Sequence, residues 1–518
     1  MKWFLCCAAL LVFVGASSIT AQTGAGRRME ISVANYQMTP TDPDGEMLHY
    51  FGDKYSVDFK VYNFDNQQFH EQLNVRIAAG EIPDFLYLRT ATTLVSYARL
   101  GVLAAIPDSL LRANAPHLVR ALETYAPGYL RMGRVDGVQY GIPVVSPTNI
   151  FHIPLVYRKD WMERVGVSKT PETLAEFEEL MYRFAREDPA GDGRRDTYGL
   201  SRDGLAAVFG AYGLVPFDEK TEYWVLEDGQ VINAAISHDA KKALALLAKW
   251  YRDGIIDPEF ITGENKGGYW ALSHAFLSGR IGFTTHGNYY HWITDGAYDE
   301  IDKNGHRVPV EANANGHELP KSQRGGRIVF GPPLLGPGGK RGIKSYNRLM
   351  NFVTIGKPAE PCPGKIATIL RILDASASAD PVERLGMHYG IEGRHWKLLD
   401  RTTESFVILP PWDEDEGYWS RIGCVLSMEV PLPPKAPREL WAQGLGLDRD
   451  GISSLVQVGL PTMMQYDEAL RKLRIEAYIA IITGARPVDS FDQFVASYLA
   501  AGGAAVQREV DQYYADTR

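Results

Sequence analysis

The chain is 518 residues long with a formal net charge of −9. That length exceeds what one hydrophobic core organises, so two domains are expected. The acidic balance argues against a nucleic-acid or anionic-membrane binder. After the N-terminal twenty residues no run is long and apolar enough to span a bilayer, so the mature chain is not expected to be membrane-embedded. Its 27 Tyr and 10 Trp suit stacking on sugar rings, although such residues mostly build cores.

Residues 1–21 read as a secretory signal, with Lys2 as the positive region, 3–14 as the apolar core and 19–21 as a small-residue cleavage site. The apolar run is shorter than the roughly 20 residues a spanning helix needs, which sets a membrane anchor aside. Cys6 and Cys7 fall inside that core, too early for lipid modification at the cleavage point. A periplasmic protein without a lipid anchor is therefore expected. Of the remaining cysteines, Cys362 and Cys424, export permits a disulfide; two separately buried thiols are the other reading.

The mature start, 29–35, alternates like a buried strand, and 55–62 reads as a second strand. A helix over 66–79 follows, stopped by Gly80, and then a third strand at 83–88. Strands alternating with helices predict an α/β sheet. The extended run 150–158 carries Pro154 and suits a crossing strand. A helix begins over 161–165, and Thr173 with Glu176 forms a capping box for the helix 174–187.

That helix enters the loop 188–196. Asp188, Asp192 and Asp196 fall at positions 1, 5 and 9 of a calcium-loop pattern, Gly193 sits at the sharp turn, and Arg194 offers its backbone carbonyl at position 7. Position 3 is Ala190 and position 12 is Gly199, neither of which supplies a ligand side chain. A structural Ca2+ held by Asp188, Asp192, Arg194 and Asp196 is one expectation; a polar helix-to-strand turn is the other.

Helices over 240–253 and 270–277 lead to a strand at 281–285, then a polar, Gly-rich stretch at 294–327 read as an insertion or long loop. A Pro/Gly-rich connection at 331–342 precedes a strand at 348–355, and 462–517 is nearly all helical, broken near Gly484 and Gly502–Gly503.

Taken in order, Ile82-Pro-Asp-Phe-Leu86, Tyr140-Gly-Ile-Pro143, Phe276-Leu-Ser-Gly-Arg-Ile-Gly282, Tyr389-Gly-Ile-Glu-Gly-Arg-His395 and Ile482-Thr-Gly484 with Phe491 resemble the family 1 extracellular solute-binding proteins of carbohydrate ABC importers. The likeness is to the large oligosaccharide-binding subgroup, with its alginate-binding and maltose-binding members, and covers nearly the whole mature chain. It implies a two-lobed α/β periplasmic-binding-protein fold of type II, its lobes joined by crossing segments, with a helical C-terminal region. The corresponding division is a signal peptide at 1–21, a first lobe at 28–150 and 331–400, and a second lobe at 151–330 completed by 401–518. Partners implied are an oligosaccharide and the permease of an ABC transporter, with the binder a monomer. Alginate-binding members also carry a side-chain calcium ligand where this chain has Ala190.

In open α/β sheets ligands bind beyond the carboxyl ends of the strands. This selects Asn35, Tyr36 and Gln37 after the first strand, Arg89 after the third, and Tyr289, Tyr290 and Trp292 after the strand at 281–285. Aromatic faces would stack on pyranose rings, and planar polar groups would bond hydroxyls in pairs. The resemblance places a stacking aromatic of maltose-binding members at Tyr289; packing beneath a helix is the alternative. Arg89 suits a carboxylate-bearing sugar or a structural ion pair. Glu392 and Arg394 read as a structural or rim pair. The acidic, aromatic stretch 412–419 reads as a solvated loop pinned by two Trp, or as a cleft wall.

An exported, acidic, aromatic-rich chain could also be a carbohydrate hydrolase, which needs two carboxylates across a glycosidic bond. No GxSxG, HExxH or phosphate-loop motif is present. A sugar binder that presents its ligand to a membrane sensor is a third reading.

Overall fold

The computed structural model describes residues 28–517 except 36–38, 66–67, 147–149, 218–221, 263–272, 294–298, 302–306, 310–313, 323–324, 346–347, 416 and 434–436. The signal at 1–21 with Cys6 and Cys7 lies outside the described residues, as do Tyr36 and Gln37. The strands that place the site are, in chain order, β1 (Met29–Asn35), β2 (Val57–Asn63), β3 (Phe85–Leu88), β4 (Gly141–Val145), β5 (Leu155–Arg158), β6 (Tyr198–Leu200), β7 (Ile281–Thr284), β8 (Ile328–Gly331), β9 (Ile343–Lys344), β10 (Leu349–Ile355) and β11 (Gly451–Ile452).

The first sheet has the order β2-β1-β3-β10-β4, with β1 parallel to β2 and β3 and with β10 antiparallel to both its neighbours. The second has the order β8-β5-β7-β6, with β7 parallel to β6 and β5 antiparallel to β7 and β8. Each sheet carries its own lobe. β3 explains why the first sheet needs helices on both faces: Phe85 and Tyr87 enter one core, Leu86 and Leu88 the other, and all four are buried.

Three crossing segments join the lobes and lie side by side. The His152 N–H donates to the Leu447 carbonyl (2.8 Å) and Ile153 N–H to the Lys344 carbonyl (3.0 Å). β9 pairs in parallel with β11, Ser345 N–H reaches the Ile452 carbonyl (3.0 Å), and the Ser345 and Ser453 hydroxyls meet at 2.7 Å. Small residues permit this spacing: a Cβ on Gly342 would lie 2.6 Å from Ile452.

Of the C-terminal helices, Pro461–Ile482 packs on the helix His238–Arg252 and Ala504–Thr517 on the strand Gln230–Asn233, with Ser490–Tyr498 against the first. Arg474 and Glu222 form a buried ion pair at 3.0 Å, and the Tyr478 hydroxyl donates to the Ala235 carbonyl (2.7 Å). At Gly502, where φ is +124°, an added Cβ would lie 2.3 Å from the Tyr466 ring, so only glycine fits the break between the last two helices.

Several boundaries differ from the sequence reading. The strand expected from Tyr55 begins at Val57, because Glu46–Tyr55 is a helix and Ser56 ends it in the left-handed region. Of the run 150–158 only β5 is a strand. The stretch 294–327 holds, among its described residues, a hairpin of Asp299–Ile301 with Arg307–Pro309 and a helix at Ala314–Lys321. Residues after 401 serve both lobes: Tyr418, Ile422, Cys424 and Leu426 sit in the first lobe's core, and Tyr87 donates to the Ser427 carbonyl. Cys362 is exposed and Cys424 buried, both as free thiols, and burial pushes the Cys424 thiol up.

Candidate functional site

At the carboxyl edge of the first sheet Asn35 is buried and its amide is engaged by the scaffold. Nδ2 donates to Asn63 Oδ1 (2.9 Å), Thr41 Oγ1 (3.0 Å) and the Thr39 carbonyl (3.3 Å). Asn63 in turn donates to the Thr41 carbonyl (2.8 Å) and accepts its N–H (2.9 Å). This network seats 39–41 over the ends of β1 and β2. The stretch 412–421 closes on the same spot: Ser420 Oγ donates to the Thr39 carbonyl (2.5 Å), and Gly417 lies so close that a Cβ would meet Thr39 Oγ1 at 2.1 Å. Half-buried Trp412 and Trp419 pack against the first lobe's core, Trp412 beside His395 and Trp419 stacked on His388.

Arg89, after β3, is half-buried with its guanidinium 5.6 Å from the centre of the Phe69 ring. Among the described residues it forms no ion pair; burial, and then the nearby Arg89 charge, lowers the pKa of the His70 ring. Arg394 pairs with Glu46 (2.8 Å), not Glu392, at the start of the helix that follows β1.

The edge of the second sheet is built around β7. His286 Nδ1 lies 2.9 Å from Asp203 Oδ2, and Thr285 Oγ1 donates to the Asp203 carbonyl (2.5 Å). Trp292 is fully buried, edge-on to Phe276 at 5.1 Å, and its Nε1 donates to the His286 carbonyl (2.6 Å). Trp292 thus positions the backbone of 286 rather than offering a face. His291 Nδ1 accepts the Asn288 N–H (3.1 Å); burial, with the charge of His286 as a smaller cause, depresses its pKa to about 4, so the ring is neutral at physiological pH.

Tyr289 is 1% exposed. Phe151 stands edge-on to it at 5.2 Å, Tyr290 edge-on at 5.3 Å, and Trp441 lies tilted at 6.3 Å. It forms the floor of an aromatic cluster completed by Ile293, Ala442 and Leu447, while Tyr290 and Trp441 keep part of their rings open. Trp441 belongs to the helix Pro437–Gly444 and was not found from sequence, because its chain position neighbours no strand end and carries no motif. The cluster draws on the first crossing (Phe151), the segment before the third (Trp441, Leu447) and the end of β7.

The loop 188–196 folds as a turn. The Asp188 carboxylate accepts the N–H groups of Gly191 (3.0 Å), Asp192 (3.3 Å) and Gly193 (2.9 Å), which hold its carboxyl below the usual range. Asp192 Oδ1 accepts the Arg194 N–H (3.0 Å), and Asp196 is exposed. Among the described residues no three His, Cys, Asp or Glu side chains gather as a metal ion requires. The Asp188 and Asp192 carboxylates are thus engaged by N–H groups of the loop itself.

A sequence profile described as bacterial extracellular solute-binding protein matches residues 46–329. The chain is 22% identical over 411 residues to Lipoprotein LipO of Bacillus subtilis, covering 77% of this chain and 74% of that one. It is 21% identical over 455 residues to the polygalacturonan/rhamnogalacturonan-binding protein YtcQ of the same organism, covering 86% and 83%. Among solved structures it is similar to alginate-binding protein AlgQ2 without calcium ion, with a TM-score of 0.59, 16% identity and coverage of 94% and 98%. That likeness is one of fold.

Proposed function

Because the chain belongs to the bacterial extracellular solute-binding proteins, we propose that it captures an oligosaccharide between its lobes and delivers it to an ABC-type permease. The observation that carries this reading is the aromatic cluster mounted on the hinge, with open faces at Tyr290 and Trp441 and polar groups at both sheet edges. Sugar touching both edges would be held only in the closed arrangement, so binding shifts the population toward closure and the permease reads that shape. A relative that binds polygalacturonan and rhamnogalacturonan supports a plant-type polysaccharide fragment as ligand, and Arg89, without an ion-pair partner among the described residues, suits a uronate.

No helix among the described residues is long and apolar enough to cross a membrane. The reading places the mature protein in the periplasm, cleaved after Ala21 with Cys6 and Cys7 removed. The intact mass of the purified protein tests this: a mass starting at residue 22 is expected, and a diacylglycerol adduct on cysteine would contradict it.

The functional test is a thermal-shift panel of neutral and uronate oligosaccharides, paired with a reducing-end assay. A ligand at a hundred times its Kd stabilises the fold by about 2.7 kcal/mol, a clear rise in melting temperature. A strong hit without new reducing ends is the expected result. New reducing ends would favour the hydrolase reading.

A further inference from the structure

Three consecutive residues of the second lobe reach three different parts of the fold. The Glu222 carboxylate pairs with buried Arg474 of the helix Pro461–Ile482 at 3.0 Å. It also accepts from Asn233 Nδ2 (2.5 Å), an amide that donates in turn to the Tyr498 hydroxyl (3.0 Å). Tyr223, 2% exposed, reaches the other way: its hydroxyl donates to the carbonyl of Ser345 in the second crossing (3.1 Å). Trp224 holds the third crossing through its backbone, where its N–H donates to Ser454 Oγ (3.1 Å) and its carbonyl accepts the Leu455 N–H (2.9 Å). Further along, the same crossings are bonded to the first lobe. Arg348 Nη1 donates to the Tyr125 carbonyl (2.7 Å), the Tyr129 hydroxyl to Gln457 Oε1 (3.0 Å) and Thr92 Oγ1 to the Gly459 carbonyl (3.3 Å). Gln457 Nε2 returns to the Ser454 carbonyl (3.2 Å) within the crossing itself. Along the third crossing the bonds to the lobes therefore change sides between Leu455 and Gln457.

We propose that Tyr223 is a positioning residue for ligand capture: with Glu222 and Trp224 it clamps the second and third crossings to the second lobe and ties them to the C-terminal helices. This role presupposes lobes that close on an oligosaccharide. Movement between the lobes is then taken up beyond Ser345 and Leu455, on the first-lobe side. A crossing fixed to one lobe has fewer arrangements before the ligand arrives, so capture has less conformational freedom to remove. The Glu222–Arg474 pair gives the clamp its footing, since parting a buried, hydrogen-bonded pair leaves a charge uncompensated. None of the three residues needs to touch the sugar.

The test is the spread of distances between the lobes in the ligand-free mature protein, read by double electron–electron resonance. One spin label sits on Cys362, the exposed thiol that precedes the first-lobe helix Pro363–Ala375. The other sits on the cysteine of Ser168→Cys, an exposed position between two helices of the second lobe, and buried Cys424 stays unlabelled. Tyr223→Phe keeps the ring and removes the hydroxyl. Against the labelled parent it is expected to broaden the distance distribution and to raise the Kd of the best oligosaccharide of the panel about 2- to 10-fold, the range of one hydrogen bond. A distribution as narrow as the parent's overturns the proposal, and so does a broadened one with unchanged Kd. If no oligosaccharide binds the parent, the capture reading fails by itself, and the distribution alone decides whether the clamp exists. Should Tyr223→Phe not fold, Ser454→Ala, which takes the acceptor from the Trp224 N–H, is read in the same way.

Discussion

At the edge of the first sheet the strands end in amides and hydroxyls, Asn35, Asn63 and Thr41, which bond to one another, whereas the second sheet leads into Tyr289 and Tyr290, packed with Phe151 and Trp441, and Trp292, packed on Phe276. Both edges are scaffolds first. The amide network holds backbone in place beside the half-buried Arg89. The ring cluster buries its floor and leaves only its upper rings available. The difference teaches that position beyond a strand end does not make a residue a ligand contact: among the rings, the half-open ones can stack and the buried ones set their height.

The largest effect expected is on Tyr289. As the cluster's floor, Tyr289→Ala should lower stability by about 3–5 kcal/mol, the range for emptying a buried aromatic site, read by urea denaturation. Unchanged stability with lost sugar affinity would reverse the roles given to Tyr289 and Trp441.

Acid should strain both regions. His291 behind the second edge and His388, stacked on Trp419 beside the first, both have pKa values depressed to about 4 by burial. Between the ordinary His value and 4 the unfolded chain binds protons that the folded chain refuses, so stability falls as pH drops through that window. For His291 the loss approaches roughly 3 kcal/mol at pH 4. Melting temperature against pH checks this, and His291→Asn should flatten the slope between pH 6.5 and 4.5.

Trp441→Ala should weaken sugar binding by about 1–3 kcal/mol while costing less stability than Tyr289→Ala, because its ring is half-open. Titration calorimetry on the variant sharpens the division between floor and face; equal affinity would place the stacking surface elsewhere. The smallest effect belongs to the first edge. Asn35→Ala leaves Asn63 and Thr41 short of a partner and should cost about 1–2 kcal/mol of stability, seen in the same denaturation series.

The strands around Asn35 and Ile281 were legible in sequence because alternation is local, whereas the two lobes and their crossings followed from the resemblance. The capping box of Thr173 and Glu176 is present with both its bonds. The helix Glu46–Tyr55 was not legible, because it starts at Gly45 without a side-chain cap and its last residue runs into the alternation of the next strand. Trp441 was invisible for a different reason: it reaches the cluster through a helix far along the chain, and only the crossing contacts bring it beside Phe151 and Tyr289. The Asp188 pattern was legible as spacing, but spacing alone did not show that the loop's own N–H groups engage its carboxylates.

The most direct test of the account is calorimetric titration of the mature protein with the best oligosaccharide of the panel. The account predicts one saturable site per chain, a negative heat-capacity change from buried ring surface, and no product after prolonged incubation. Saturable binding that leaves the heat capacity unchanged, or steady turnover of the sugar, would contradict it.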